Sequence, residues 1–287
     1  MRRRAAASFL FALAAACGTT PPPQHDQTLA LAWMRFAAEY DAACVQAYAG
    51  AAGALERALA DPTWSACLEQ GPADGAARLP AAVVLDVDET VLDNSTYAAR
   101  QLLAGKGFEP ASWAAWCHEQ SAGAVPGALA YTRRAVELGI RVVYVTNRRA
   151  DAGGDRPSTE ESDTRANLRQ LGFPLDERDG FDCVLTAGEH GDKAARRRVV
   201  AERFRVLQLV GDNLGDFAPG VEPRRTQLEL DRVAEGQFTD RARDRLVAEF
   251  DRWWGARWIL LPNPSYGSFE SVLKARHGSV RDALVWP

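Results

Sequence analysis

The sequence predicts an α/β fold, a doubly wound parallel sheet with a smaller helical cap domain. Short, continuous apolar runs, typical of strands buried on both faces, alternate with amphipathic helical patterns along the chain. Acids and other polar residues directly follow several of these runs, which is where open α/β sheets bind ligands. The length of 287 residues accommodates one large or two modest domains.

The N-terminal segment is expected to be an export signal rather than part of the fold. Three arginines precede a short apolar run that ends in "LAAAC", and the run is too short to span a bilayer. We therefore assign 1–16 as a signal peptide. A cysteine directly follows the small residues, so the segment resembles a bacterial lipoprotein signal with Cys17 lipidated, although Ala14 stands where such signals usually carry leucine. Residues 17–27, with three consecutive prolines, would form an extended tether.

This signal predicts a lipoprotein anchored in the cell envelope. A periplasmic or secreted protein cleaved near the same place is the alternative. The formal net charge of −4 gives no basic field, so we expect no nucleic-acid partner and no membrane contact beyond the lipid anchor.

The first part of the mature chain has a helical pattern. Apolar residues recur at steps of three and four and predict one helix over 28–59; they are Trp33, Phe36, Tyr40, Cys44 and Tyr48. Asp61 and Pro62 end this helix, a shorter one is expected over 64–68, and 71–80 is a loop. We assign 28–80 as an N-terminal helical region that packs as part of the cap.

Five apolar runs and four helical patterns then build the predicted core over 81–270. The strands are expected at Ala81–Leu85, 141–145, 183–185, 206–210 and 258–261. The helices are expected at 126–138, 159–171, 193–204 and 241–254. A stretch of about 95–125 fits no crossover between strands and is assigned as a helical cap insert, and 271–287 as a C-terminal tail.

Four cysteines besides Cys17 would enter an oxidising compartment: Cys44, Cys67, Cys117 and Cys183. They allow three pairings, among which the sequence does not choose. We favour Cys44–Cys67 because both lie in the N-terminal helical region, with free buried thiols as the alternative. No CxxC pair is present, which argues against a zinc cluster.

Polar residues follow four of the predicted strands, at or just beyond the points where they end. They are Asp86, Asp88 and Thr90, then Thr146 and Asn147, then Lys193, and finally Asp212, Asn213 and Asp216. Because the carboxyl ends of parallel strands share one edge, we expect four aspartates, a hydroxyl and an ammonium to gather there. A lysine at a helix start opposes the helix dipole, so its position indicates a function.

The chemistry of this set points to phosphoryl transfer. Several carboxylates crowd together only around a cation or when some are protonated. An all-oxygen ligand set suits Mg²⁺, which often shares its coordination with a substrate phosphate. Lys193 and Thr146 supply donors for the phosphate. Asp86 could attack phosphorus to form an aspartyl phosphate, and Asp88 could act as the acid and base.

Four motifs resemble those of the haloacid-dehalogenase superfamily of phosphatases: "LDVDETVLDNS", "YVTNR", "GDK" and "GDNLGDF". The four aspartates resemble its DDDD branch. Three further stretches, "AWMRFAAEYDAACVQAY", "SWAAWCHEQSAGAVPGAL" and "LPNPSYGSFE", are similar to bacterial class C acid phosphatases, outer-membrane lipoproteins known as 5′-nucleotidases. The resemblance covers about 29–270.

The resemblance implies roles for the four aspartates. Asp86 would be the nucleophile and a Mg²⁺ ligand, and Asp88 the acid and base that also gives the metal its backbone carbonyl. Asp212 would bind the metal directly, and Asp216 would hold a metal-bound water.

The resemblance also implies how the substrate binds. Thr146, Asn147 and Lys193 would bind the phosphate, and Trp113 and Tyr266 would sandwich the base of a nucleotide. The implied substrates are phosphate monoesters, above all nucleoside 5′-monophosphates. One departure is the stretch 222–255, which is longer than the usual connection in the family and bears on the alignment of Tyr266.

Other interpretations start from the same residues. A calcium loop is disfavoured because Val91 stands where an EF-hand requires glycine. A dehalogenase would share the nucleophile but lacks an acid–base group at the position of Asp88. A non-enzymatic nucleotide- or haem-binding surface lipoprotein remains the alternative function. Glu89 and Asp93 are expected to be solvent-exposed or capping groups, and Trp113 and Tyr266 could also be plain core aromatics.

Overall fold

A computed structural model describes residues 27–71, 75–153, 158–176, 178–187, 192–219 and 240–285. The predicted signal peptide and Cys17 lie outside the described residues, as does 220–239 of the long connection. The helices are α1 Thr28–Phe36, α2 Ala38–Ala60, α3 Ser95–Leu103, α4 Pro110–Glu119, α5 Ala128–Glu137, α6 Glu160–Leu171, α7 Ala194–Arg203, α8 Asp240–Glu249, α9 Ser268–His277 and α10 Val280–Ala283.

Five parallel strands form the sheet, in the order β5-β4-β1-β6-β7. Their bounds are β1 Ala81–Leu85, β4 Arg141–Arg149, β5 Val184–Ala187, β6 Arg205–Gly211 and β7 Trp258–Leu260. A separate antiparallel pair, β2 Leu92–Asp93 and β3 Gly123–Ala124, follows β1 and flanks α3 and α4. The predicted parallel sheet with flanking helices is confirmed.

The strand order determines where the site lies. From the central β1 the chain winds outward to β4 and β5, then returns to the other side of β1 for β6 and β7. The order therefore reverses between β4 and β6, at the carboxyl end of β1. Such a switch point opens a crevice where open α/β sheets bind ligands.

Two hydrophobic clusters cover the two faces of the sheet. Val83 and Leu85 of β1 belong to one cluster, with α2 and α5, whereas Ala82 and Val84 belong to the other. This alternation follows the two-residue period of a strand. Because both faces are covered, the strands are apolar throughout, which is why they were predictable as continuous runs.

The predicted helix over 28–59 is two helices. Ala37 has an extended backbone, with φ −87° and ψ 124°, and this residue separates α1 from α2. The break brings the rings of Trp33 and Tyr40 edge to face at 5.4 Å between centroids. It also turns Phe36 away from the apolar stripe, leaving it 80% exposed.

The short helix predicted over 64–68 is wrong; these residues are irregular. Hydrogen bonds to the core hold this segment in place. The Ala66 amide donates to the Val206 carbonyl at 2.8 Å, and the Trp64 indole donates to the Leu207 carbonyl at 2.7 Å. Tertiary hydrogen bonds with β6 thus replace the local bonds of a helix.

The four described cysteines are buried and form no disulfide with one another, so the favoured Cys44–Cys67 disulfide is wrong. Cys44 lies in the cluster with α2 and α5, and Cys67 lies in the cluster on the opposite face of the sheet. At the C-terminal end, α9 and α10 occupy much of the segment predicted as a tail. Among the described residues, no helix combines the length and apolar character needed to cross a membrane.

Candidate active site

Three of the predicted site residues lie at the carboxyl-terminal part of neighbouring strands. Asp86 directly follows β1 and Asp212 directly follows β6, whereas Thr146 lies inside β4, which extends to Arg149 instead of ending at 145 as predicted. The Asp86 amide donates to the Val210 carbonyl at 2.9 Å, which extends the pairing of β1 and β6 by one step. Sheet pairing therefore positions the proposed nucleophile between its two neighbours.

A cluster of three carboxylates lies at this edge. Asp86, Asp212 and Asp216 each bring one oxygen within 4.8 Å of the others. Lys193, at the start of α7, places its Nζ 2.5 Å from an oxygen of Asp86 and 2.5 Å from an oxygen of Asp216. The structure thus brings together the lysine and three of the four aspartates that the sequence singled out.

Hydrogen bonds hold the second and third carboxylates in place. Asn263 donates to Asp212 at 2.8 Å, and the amide of Asn213 donates to Asp216 at 3.0 Å. Position 211 leaves no room for a side chain, because a Cβ there would lie 2.2 Å from Oδ2 of Asp216.

The electrostatics of the cluster suit a cation. Burial raises the pKa of Asp86 well above its ordinary value; the Lys193 ammonium opposes that rise, and neighbouring carboxylates add to it. Burial and the charge of Asp216 raise the pKa of Asp212 to about 7. When ionised, three carboxylates and one ammonium carry a charge of −2, which a divalent cation would balance. The donor set is all oxygen, so it fits a hard cation such as Mg²⁺.

The Asp88 side chain belongs to a different network. Its Oδ1 accepts hydrogen bonds from Arg148 Nε at 3.0 Å, Arg148 Nη2 at 2.8 Å and Asn94 Nδ2 at 2.9 Å. Arg148 is 2% exposed, and its remaining nitrogen donates to Thr164 at 3.0 Å. The carboxyl of Asp88 is therefore held apart from the three clustered carboxylates.

The two other predicted phosphate-binding residues differ in exposure. Thr146 is fully buried, and its hydroxyl accepts the Arg148 amide at 3.1 Å. Asn147 is exposed, and its Oδ1 accepts a hydrogen bond from Arg196 at 2.6 Å. Arg196 also donates to the Thr146 carbonyl, so it is a second cation of α7 at the edge of the site.

Trp113 and Tyr266 are each linked to the site through a charged residue. Trp113 of α4 is half-buried, and the Arg148 guanidinium lies 5.2 Å from its ring centroid. Tyr266 is 39% exposed, and its hydroxyl donates to the Glu89 carboxylate. Trp113 also packs against the core, which agrees in part with the alternative interpretation of Trp113 as a core aromatic.

Glu89 was expected to be a solvent-exposed or capping group, and the solvent-exposed alternative is wrong. It is 1% exposed, and its carboxylate accepts the Asn94 amide at 2.8 Å as well as the Tyr266 hydroxyl. Its φ of +53° is uncommon for a residue with a side chain, so the turn after β1 directs it inward. Asp93 accepts the Ser95 amide at 2.8 Å at the start of α3, which is the capping role that was predicted.

Several residues that hold the site were not predicted from the sequence: Asn94, Arg148, Arg196, Arg197 and Asn263. An imbalance of charge among the predicted site residues could have indicated Arg148. Four aspartates were assigned to one edge with a single lysine, and "VTNRR" places two arginines at the end of the neighbouring strand. Asn263 and Arg197 carry no comparable signal, because their contacts join segments far apart in the chain.

A doubly wound sheet whose switch point holds these aspartates and this lysine defines a phosphatase of the haloacid-dehalogenase class. The sequence matches the family described as HAD superfamily, subfamily IIIB (acid phosphatase), over residues 11–269. The chain belongs to this family.

Solved structures agree with this assignment. The chain is similar to the class C acid phosphatase from Bacillus anthracis, with 27% identity, a TM-score of 0.69 and coverage of 90% of this chain and 92% of the other. The same phosphatase with tungstate bound matches with 26% identity and a TM-score of 0.67, over 87% and 88% of the two chains.

Two plant proteins are similar over a shorter stretch. The stem 28 kDa and 31 kDa glycoproteins of Glycine max are each 23% identical to the chain over 141 residues, or 48% of its length. The matched stretch spans about half the length of these relatives, 52% and 46% respectively.

Proposed function

We propose that the protein is a Mg²⁺-dependent acid phosphatase that hydrolyses phosphate monoesters, in particular nucleoside 5′-monophosphates, through an aspartyl phosphate. The observation that carries this proposal is the separation of the aspartates. Asp86 lies with Lys193 in the cluster of three carboxylates, while Asp88, two residues on, is held by Arg148. Membership of an acid phosphatase family supports the same chemistry.

In the first step a carboxylate oxygen of Asp86 attacks phosphorus, and the bond from phosphorus to the ester oxygen breaks. Asp88, in its acid form, gives its proton to the departing oxygen, so an alcohol leaves. Its three hydrogen bonds all reach Oδ1, so the transferable proton is carried by Oδ2.

In the second step Asp88 takes a proton from water, and the water oxygen attacks phosphorus. The bond between phosphorus and Asp86 breaks, which releases inorganic phosphate and restores both aspartates. Lys193 and Thr146 hold the phosphoryl oxygens during both steps.

The metal would be held by Asp86, Asp212 and the backbone carbonyl of Asp88, and by Asp216 through a bound water. When bound, it supplies positive charge that stabilises the transferring phosphoryl group. Trp113 and Tyr266 would stack on the base of a nucleotide, which contributes about 1–3 kcal/mol per base and tolerates different bases.

Phosphate release by the purified protein tests the proposal. Activity on p-nitrophenyl phosphate and nucleoside 5′-monophosphates should disappear after EDTA treatment and return with Mg²⁺. A screen that includes sugar phosphates should favour nucleotides, and a flat profile would leave a general acid phosphatase.

Asp88→Asn tests the mechanism. This variant should lose about 10²–10⁴-fold in turnover, because the general acid is gone, while its metal affinity is retained. Asp93→Asn is the matched control, since Asn also caps helices, and it should keep wild-type activity. Wild-type turnover by Asp88→Asn would show that the mechanism is wrong.

A nucleotide- or haem-binding surface lipoprotein is the competing function. It predicts tight ligand binding without phosphate release in the presence of Mg²⁺, so the same assay separates the two functions.

We also propose that the protein is exported and anchored by a lipid on Cys17. The pattern of arginines, apolar run and "LAAAC" supports this proposal. Labelling with a radioactive fatty acid should mark the wild type and not Cys17→Ser; equal labelling of both would contradict it.

A further inference from the structure

A buried ion pair joins two segments that are distant in the chain. Arg197 of α7 and Glu69 have side chains 1% and 5% exposed, with Nη2 and Oε1 2.7 Å apart. Arg197 Nε lies 3.1 Å from the same oxygen, so the guanidinium grips the carboxylate with two nitrogens. Burying two charges costs free energy unless their attraction and further hydrogen bonds offset the lost hydration.

The free end of that guanidinium holds the loop that carries Asp216. Arg197 Nη1 donates to the carbonyls of Gly215 at 2.9 Å and of Asp216 at 3.0 Å. Lys193, four residues earlier, contacts the Asp216 carboxylate at 2.5 Å. Residues four apart lie on one helix face, so this face of α7 holds Asp216 by its backbone and by its side chain.

Glu69 is itself fixed by the segment 61–71 that precedes the core. Gln70 donates to the carbonyls of Ala201 at 2.9 Å and Phe204 at 2.8 Å, near the end of α7. The Trp258 indole donates to the Ala66 carbonyl at 2.8 Å. These bonds tie the segment to α7 and β7, so Glu69 is a well-positioned acceptor for Arg197.

We propose that Glu69 and Arg197 are a positioning pair that places the Asp216 carboxylate in the cation site. The segment 61–71 is then part of the metal centre although it contributes no ligand. This inference rests on the proposed function, since it needs a cation at Asp86, Asp212 and Asp216. Partners of metal ligands commonly change metal affinity by about 10- to 100-fold when they are altered.

Direct binding of Mn²⁺ to the metal-free protein, without substrate, tests the proposal. Arg197→Lys keeps the charge but cannot reach Glu69 and both carbonyls at once. We expect its Mn²⁺ dissociation constant to rise roughly 10- to 100-fold. Its kcat should approach the wild-type value at saturating metal, because no group that touches the substrate has changed.

Arg205→Lys is the matched control. Arg205 is also buried, at 6% exposure, and also donates to backbone carbonyls, those of Ala58 at 3.3 Å and Leu59 at 3.0 Å. It lies at the opposite end of β6 from Asp212. Its replacement should lower the melting temperature and leave Mn²⁺ affinity unchanged, which separates general stability from positioning.

Glu69→Gln keeps the acceptor oxygen and removes the charge, and it decides the matter if Arg197→Lys does not fold. A several-fold weaker Mn²⁺ affinity in this folded variant supports the proposal. Wild-type affinity in folded variants overturns it, and failure of both variants to fold makes the pair structural and also overturns it. Absence of Mn²⁺ binding by the wild type would instead refute the metal dependence in the proposed function, and this inference with it.

Discussion

At the scale of single residues, hydrogen-bond partners distinguish four otherwise identical carboxylates. The carboxylates of Asp86 and Asp216 contact the ammonium of Lys193. Asp212 accepts a hydrogen bond from the side-chain amide of Asn263, and Asp88 pairs with the guanidinium of Arg148. The planar fork of Arg148 restricts the orientation of the Asp88 carboxyl more than a lysine could. In the proposed mechanism, Arg148 would therefore determine where Asp88 delivers its proton.

Replacing Arg148 by lysine should affect proton transfer more than binding. We expect kcat to fall about 100-fold on an alkyl phosphate such as AMP, whose leaving oxygen needs a proton. The loss on p-nitrophenyl phosphate, whose leaving group departs without one, should be less than about tenfold. Steady-state kinetics on both substrates measure the difference.

Arg149→Lys is the control, because Arg149 is the next residue and pairs with Glu160 at 2.9 Å, outside the cluster. It should keep wild-type kinetics on both substrates. Equal losses on the two substrates in Arg148→Lys would mean that Arg148 does not orient Asp88.

The buried thiols should be unreactive in the folded protein. Burial raises the pKa of Cys44 to about 11 and that of Cys117 to about 12, so the reactive thiolate is scarce at neutral pH. In a Cys17→Ser background, Ellman's reagent should find four thiols only after denaturation without reductant. Detection of only two thiols in the denatured, unreduced protein would indicate a disulfide.

At the scale of elements, α7 contributes cationic side chains to the site, whereas the N-terminal helix α2 contributes to packing. Helix α7 brings Lys193, Arg196 and Arg197 to the strand ends, so one helix supplies several cations to the site. Helix α2 packs against α5, and the backbones of these two segments approach closely at Gly127. This glycine has φ +87°, and a Cβ there would lie 3.2 Å from the Cα of Val45.

Gly127→Ala should therefore destabilise the packing of α5 on α2. We expect the free energy of unfolding to fall by about 2 kcal/mol, from the left-handed backbone and the close approach together. Urea denaturation measures the change. Gly139→Ala is the matched control, with φ +73° and nothing within 4 Å of a Cβ, and it should lose about 1 kcal/mol. Equal losses would show that the contact with α2 contributes nothing.

At the scale of the whole molecule, the proposed cation site links metal binding to the stability of the fold. The clustered carboxylates repel one another in a buried setting, and they are contributed by loops after different strands. A cation that binds them only in the folded protein must stabilise the whole fold.

Removal and return of metal should accordingly shift the melting temperature. Mg²⁺ at 100 times its dissociation constant should add about 2.7 kcal/mol to the free energy of unfolding of the EDTA-treated protein. Differential scanning calorimetry measures the shift. Asp212→Asn should show a much smaller shift, and an equal shift in this variant would place the stabilising cation elsewhere.

The sequence by itself determined the parallel sheet, the residues at its strand ends and the family, because buried strands and short motifs are local patterns. It also predicted that Asp86, Asp212, Asp216 and Lys193 would meet, since parallel strands share their carboxyl ends. The tertiary structure alone decided the helix break at Ala37, the irregular segment 61–71 and the absence of a disulfide among the four described cysteines. It alone revealed that Glu89 points inward and that Arg148 and Arg197 hold the aspartates. These features depend on contacts between residues far apart in the chain, and no local pattern encodes such contacts.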